Sequence, residues 1–167
     1  MESTQSIKSR IKSVTSTEQI TKAMGMVASN KMRKSQVHAL DSRPYAIAGM
    51  EILREITKRT PHVPELMKAK EKTGKTLIVL IASDKGLAGS FNSNVFRKFE
   101  KTINGNKEDY LYAAVGKKAE DYITRKNYDI QKSFIKFGDY ASPEQTQVFA
   151  DFIIDGFLDN KWSKVIT

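Results

Sequence analysis

Cysteine is absent from this 167-residue chain, so disulfides and thiolate metal sites are excluded, which suits a reducing compartment. The only two histidines, His38 and His62, lie far apart in sequence, which argues against a histidine-rich metal site. No apolar run approaches the roughly 18 residues of a membrane-spanning helix; the longest, Thr76 to Ala82, suits a buried strand. The opening residues Met1-Glu2-Ser3-Thr4-Gln5-Ser6 lack the apolar segment of a secretory signal. Internal repeats and low-complexity segments are missing as well.

What is present is a 40% apolar fraction, enough for a core, and 28% charged residues, which point to a soluble protein. The length allows one ordinary domain and an appendage. The net charge of +9 is unevenly placed. Residues 1–59 hold 11 basic and 5 acidic side chains, a net of +6, against +3 for the remainder. A basic segment of this kind calls for an acidic surface: nucleic acid, anionic lipid or an acidic protein.

From about Ser3 to Arg59 the pattern is helical nearly throughout. Ile7, Ile11, Val14, Ile20, Met24, Val27, Ala28 and Met32 recur at three- and four-residue steps, and Thr17 fills the gap after Val14. The pattern resumes with Tyr45, Ala48, Ile52 and Ile56. Such a helix would extend roughly 80 Å, and its apolar stripe is thin, nearer a coiled-coil seam than a core-facing surface. Isolated helices are marginal in water, so a partner along that stripe is expected. A kink or break is expected near Asp41-Ser42-Arg43-Pro44, with Asp41 or Ser42 capping a restart. Gly25 is a weaker interruption, costing about 1 kcal/mol relative to alanine.

Residues 60–75, with Pro61, Pro64 and Gly74, read as a linker containing a short helical turn. Residues 76–167 then alternate strand and helix. Thr76–Ala82, Tyr110–Val115 and Tyr128–Phe134 read as strands, and Trp162–Thr167 as the opening of a fourth. Helices are expected over Asn92–Ile103 and Lys117–Arg125, and from Ser142-Pro143-Glu144-Gln145 onward. Val148, Phe149, Phe152, Ile153 and Phe157 form the apolar face of that last helix. The expected class is α/β: a long N-terminal coiled-coil-type helix, then an open, mostly parallel, Rossmann-like sheet with flanking helices.

Few residues suggest chemistry. Ser83-Asp84-Lys85-Gly86-Leu87-Ala88-Gly89-Ser90-Phe91-Asn92 joins a strand to a helix, an arrangement able to present backbone N–H groups to phosphate. It has neither P-loop nor dinucleotide spacing, however. The favoured reading is a tight turn in which Asp84 and Asn92 bond backbone groups and the glycines permit close packing. Glu108-Asp109 and Glu120-Asp121 are adjacent pairs whose side chains diverge, and Ser90, Ser93 and His38 stand in no triad context. No catalytic, cofactor-binding or metal-binding residue is assigned. The helix residues Lys8, Arg10, Lys12, Lys22, Lys31, Arg33, Lys34 and Arg43 read either as a solvated face or as a positive collar. Met24, Met26 and Met32 add adaptable contacts beside it.

Two segments taken together carry a resemblance. Ile20-Thr21-Lys22-Ala23-Met24-Gly25-Met26-Val27-Ala28, followed by Ser83-Asp84-Lys85-Gly86-Leu87-Ala88-Gly89-Ser90-Phe91-Asn92, resembles the gamma subunit of the rotary F-type ATP synthase. That subunit opens on I-T-K-A-M-x-M-V-A and carries S-D-[RK]-G-L-C-G-x-[FL]-N after its first strand. Ser42-Arg43-Pro44-Tyr45 and Asp159–Thr167 are similar too, so the likeness runs from about Ile7 to Thr167. Ala88 stands where cysteine is frequent in the family, and Gly25 where a charged residue is common.

The resemblance implies a non-catalytic central-stalk subunit that couples ion flow to ATP synthesis by rotation. The first helix would pair with a C-terminal gamma helix, using Ile7, Ile11, Val14 and Ile20 as its seam. Thr21, Lys22, Ala23, Met24, Val27, Lys31, Met32, Arg33 and Lys34 would face the ring of alpha and beta subunits. The α/β body would sit against the epsilon subunit and the c-ring, with Ser83 to Asn92 as its structural loop. The location implied is a peripheral position on the cytoplasmic face of the cell membrane, or the matrix or stromal side in an organelle. The C-terminal helix of the family is not found here, so a truncated or split gamma is expected. The competing expectations are a basic α/β nucleic-acid-binding module and a small nucleotide-dependent enzyme using Gly86–Gly89.

Overall fold

The computed structural model describes residues 3–61, 63–68, 74–138 and 141–167. His62 and residues 69–73 of the expected linker lie outside the described residues. The polypeptide divides into two compact units, Met1–Arg59 and Thr60–Thr167.

The first unit is a single helix, α1, spanning the 56 residues Thr4–Arg59. The Ser3 hydroxyl accepts from Gln5 N at 3.3 Å at its start. Lys58 and Arg59, at its negative end, both reach Glu55 one turn back, at 3.1 and 3.2 Å. The expected break near Asp41–Pro44 is absent: the backbone is helical on both sides of Pro44. Proline removes one backbone donor and crowds the preceding turn. Every residue from Leu40 to Tyr45 is exposed, so the carbonyl left without that donor faces water and the helix continues. Ser42 does not cap a restart; its hydroxyl donates back to Ala39 O at 3.1 Å.

The second unit contains β1 (Thr76–Ile81), α2 (Phe91–Ile103), β2 (Tyr110–Val115), α3 (Lys117–Arg125), β3 (Ile130–Phe134), α4 (Pro143–Leu158) and β4 (Lys164–Ile166). A short 3-10 turn occupies Glu65–Met67. The sheet order is β3-β2-β1-β4, and each neighbouring pair is parallel. Thr76 pairs with Tyr110 on one side and Lys164 on the other. The backbone therefore steps outward from β1 to β3 and crosses back to lay β4 on the other side of β1.

Because successive strand residues alternate between faces, β1 supplies two cores. Ile78 and Leu80 join Tyr112 and Ala114 under Phe99 and Ile103 of α2 and Ala119, Tyr122 and Ile123 of α3. Leu77 and Val79 join Ala113 and Trp162 under Phe149, Phe152, Ile153 and Phe157 of α4. Burying a side chain such as Leu77 completely contributes about 1.5–3 kcal/mol. Val148, expected on the buried face of α4, is instead 52% exposed; Phe149 and Phe152, one and four positions later, define the stripe that meets the sheet.

The start of α4 follows its sequence. Ser142 Oγ accepts from Gln145 N at 3.3 Å, Gln145 Oε1 accepts from Ser142 N at 3.1 Å, and Pro143 occupies the first turn. β3 begins at Ile130, two residues later than expected. Asn127 takes a left-handed conformation (φ 54°), and the Tyr128 ring turns into the core to stack on Tyr112 at 4.8 Å.

Candidate functional site

Two surfaces are candidates, one on each unit. The first is the apolar stripe of α1. Among the described residues of this helix none is buried. Ile7, Ile11, Val14 and Ile20 stand between 45% and 63% exposed, with Met24, Val27 and Met32 in the same range. A row of half-open aliphatic side chains along 56 residues leaves a long apolar edge in water.

The polar residues set into this edge are already satisfied. Thr17, which fills the gap between Val14 and Ile20, donates its hydroxyl to Ser13 O at 2.9 Å, and Thr21 donates to Thr17 O at 2.8 Å. With those hydroxyls turned onto their own helix, neither threonine needs water at an opposing surface. The stripe can therefore be covered without stranding a polar group. Lys22, Lys31, Arg33 and Lys34 lie exposed in the same part of the helix, with Ala23 between Lys22 and Met24. The apolar and basic residues thus share one helical rod.

The second surface is the loop from Ser83 to Asn92, at the carboxyl end of β1. Asn92 Oδ1 accepts from Ser83 N at 3.2 Å, and Asn92 Nδ2 donates to Ser83 Oγ at 2.8 Å. The Ser83 hydroxyl in turn donates to Lys85 O at 2.6 Å. Asp84 Oδ1 accepts from Lys117 N at 2.9 Å, and Ser83 O from Lys118 N at 3.0 Å, so the loop is stitched to the first turn of α3. The carboxylate of Asp84 thus occupies the anion-favouring helix start.

The expectation that Gly86 and Gly89 permit close packing does not hold. A Cβ on Gly86 would meet only Lys118 Cε, at 4.0 Å, and one on Gly89 would meet nothing within 4 Å. Gly89 is favoured by conformation instead, at φ 55°, where a side chain would add strain. Leu87 shares that left-handed region at φ 61° and is 95% exposed. Close approach occurs at Gly116, a position the sequence pattern does not single out. A Cβ there would lie 2.0 Å from Ala82 O, where the ends of β1 and β2 converge. The available signal is a glycine set between a strand and a helix start.

A polar cluster joining α2 to α3 also carries no local sequence signal. Glu100 accepts from Tyr122 OH at 2.6 Å and Tyr128 OH at 2.9 Å, and Lys126 Nζ approaches at 3.5 Å. Burial pushes the Glu100 carboxyl up, but the two phenols and Lys126 together outweigh it and hold the group below its ordinary value. Both phenols are pushed up to about 12, by burial first and then by the bonded carboxylate. Glu120 and Asp121 do share a partner, Lys117 Nζ, at 2.6 and 3.1 Å, in an exposed ion-pair group. Among the described residues no cluster of acidic or histidine side chains is arranged to hold a metal. No described helix is long and apolar enough to cross a membrane.

Comparison with known proteins converges on one family. The family described as ATP synthase matches residues 3–166. The ATP synthase gamma chain of Desulforamulus reducens is 33% identical over 99% of this chain and 58% of its own length. That of Amoebophilus asiaticus is 38% identical, over 95% of this chain and 57% of its own. The sodium-ion-specific gamma chain of Acetobacterium woodii is 34% identical, over 98% and 54%. This chain thus spans little more than half the length of these relatives. Among solved structures, the rotor of the Euglena gracilis mitochondrial ATP synthase superposes with a TM-score of 0.56 at 19% identity, over 95% of this chain and 53% of that one, a likeness of fold. Nothing in these comparisons supports the nucleic-acid-binding alternative.

Proposed function

The chain belongs to the ATP synthase gamma family, and on that premise we propose that it is the N-terminal portion of a central rotor stalk. In this reading α1 is one strand of an antiparallel coiled coil, paired with another helix of the gamma polypeptide. The observation that carries it is the exposed seam Ile7, Ile11, Val14 and Ile20, in a helix whose intervening threonines are internally satisfied.

The catalytic sites belong to the alpha/beta ring, and gamma makes or breaks no bond. Each orientation of an asymmetric axle favours one conformation of a catalytic subunit over another through differential contacts, so turning the axle steps the sites through their states. Thr21, Lys22, Ala23, Met24, Val27, Lys31, Met32, Arg33 and Lys34 form the face toward that ring. Methionine suits it, because a flexible thioether side chain repacks against non-equivalent partners. The α/β body meets the epsilon subunit and the c-ring. The complex places this subunit peripherally, on the cytoplasmic face of the membrane or its organellar equivalent.

The test is reconstitution. The protein is co-expressed with alpha and beta subunits and with the remaining gamma sequence of a relative, and the assembled ring is isolated. Co-purification with ATP hydrolysis that turns the stalk is the expected result. Failure to enter the ring with the second gamma segment supplied would overturn the assignment.

A further inference from the structure

The carboxyl end of α2, at the opposite end of that helix from the Ser83–Asn92 loop, closes on an asparagine–glycine pair. Helix α2 terminates at Asn104, which adopts the left-handed conformation (φ 47°, ψ 36°) and donates its N–H to Glu100 O at 3.1 Å. Gly105 follows at φ 84°, and both residues are exposed. A Cβ on Gly105 would meet nothing within 4 Å, so solvent reaches the site freely.

We propose that Asn104–Gly105 is the site at which this protein deamidates spontaneously. In that reaction the Gly105 backbone nitrogen attacks Asn104 Cγ. A new bond forms between these two atoms, the Cγ–Nδ2 bond of Asn104 breaks, the Gly105 nitrogen loses its proton and ammonia leaves. Water then opens the cyclic imide at either carbonyl, giving aspartate or isoaspartate at position 104. No oxidant or cofactor takes part.

Three conditions select this asparagine: an uncommitted side-chain amide, a following N–H without a hydrogen bond, and no side chain on the following residue. Asn104 and Gly105 meet all three among the described residues. The other asparagines each fail. Tyr128 N, after Asn127, is committed to Ile123 O at 3.2 Å. Lys161 N, after Asn160, is committed to Gly156 O at 2.9 Å, and Lys107 N, after Asn106, to Gly105 O at 3.1 Å. The amide of Asn92 is held by Ser83 Oγ at 2.8 Å, and Asn94 bonds Ser90 Oγ at 3.4 Å inside α2. Asn30 is internal to α1.

The consequence is structural. Either product adds a negative charge at the negative end of the α2 dipole. Isoaspartate also lengthens the backbone by one carbon next to Ile103, a core residue only 2% exposed. The reaction is therefore a built-in ageing step that acts on the α2 anchor of the body.

The test is ageing of the intact, folded protein at mildly alkaline pH, followed by proteolysis and mass spectrometry with isoaspartate detection. Conversion at Asn104 at least tenfold faster than at Asn92, Asn106, Asn127 or Asn160 is expected. Gly105→Ala is expected to slow it at least tenfold, and Asn104→Gln, whose longer side chain disfavours the five-membered ring, to remove the signal. Equal conversion at all asparagines, or conversion at Asn104 only after denaturation, would overturn the proposal.

Discussion

Trp162 lies directly against Gly156, so close that a Cβ on that glycine would sit 1.9 Å from Trp162 Cζ2. The indole is 1% exposed, donates Nε1–H to Ile153 O at 3.2 Å and packs on Phe152 at 5.2 Å. A tryptophan just before β4 is thereby locked onto the last two turns of α4, which fixes where the fourth strand joins the sheet. Glycine within a helix is otherwise unfavourable by about 1 kcal/mol. Here the lost helix propensity is the condition for seating the ring.

Gly156→Ala therefore destabilises the body even though alanine is the better helix former. Overpacking a rigid, buried ring costs about 1–3 kcal/mol, which exceeds or cancels the gain in propensity. Trp162 is the protein's one tryptophan, so urea unfolding followed by its emission reads the effect directly. A lower midpoint with a red-shifted native spectrum is expected; a raised midpoint would contradict the contact.

The Glu100 cluster sets a pH window for stability. Glu100 is held below its ordinary value, so its contribution is present above that value and fades as pH falls through the lowered one. Tyr122 and Tyr128 titrate at about 12 when folded against an ordinary value of 10.0, so their contribution is complete below 10 and is lost as pH rises towards 12. Glu100→Gln removes the charge that both phenols bond and should lower both tyrosine values. A phenolate absorbance titration of the folded variant checks this. Unchanged high-pH titration would show that burial alone raises the two phenols.

Much of this architecture is legible in the sequence because it rests on periodicity. The run Ile7 to Met32 at three- and four-residue steps and the continuous apolar Leu77–Leu80 report α1 and β1 directly. What escapes depends on contacts between distant residues. Proline's effect on a helix depends on whether the freed carbonyl reaches water, and at Leu40 it does. The need for Gly116 and Gly156 comes from Ala82 O and the Trp162 ring, which no local pattern announces. Glu100 resembles any other surface carboxylate until the fold brings Tyr122 and Tyr128 to it, 22 and 28 positions later. In the loop, Asp84 and Asn92 announce their hydrogen bonds by residue type, whereas the close-packing role expected of Gly86 and Gly89 belongs to Gly116.

Asp84 caps α3 from another element, which separates its role from its charge. Asp84→Ala leaves Lys117 N without its acceptor and should cost about 1 kcal/mol, as loss of a helix cap does. Asp84→Asn keeps an oxygen in place and should lose less. Hydrogen exchange at the Lys117 amide is the local readout. Equal protection in Asp84→Ala and the unaltered protein would show that the cap contributes nothing.

The seam proposed for α1 makes the sharpest prediction, because its effect should appear only on association. Ile11 and Val14 are 61% and 63% exposed, so replacing both by aspartate removes little that stabilises the protein by itself. Far-ultraviolet circular dichroism and the unfolding midpoint of the body should scarcely change. In a coiled coil the same carboxylates would face an apolar partner without a hydrogen-bond donor, at a cost of several kcal/mol per buried charge. Binding to a second gamma helix should fall by at least a hundredfold. Lys22→Ala with Lys34→Ala, in contrast, should leave that pairing intact and weaken attachment to the alpha/beta ring, with a shallower dependence on salt. If the aspartate pair leaves helix pairing intact, the seam lies elsewhere on α1. If the lysine pair disrupts helix pairing more than ring attachment, the two faces have been assigned the wrong way round.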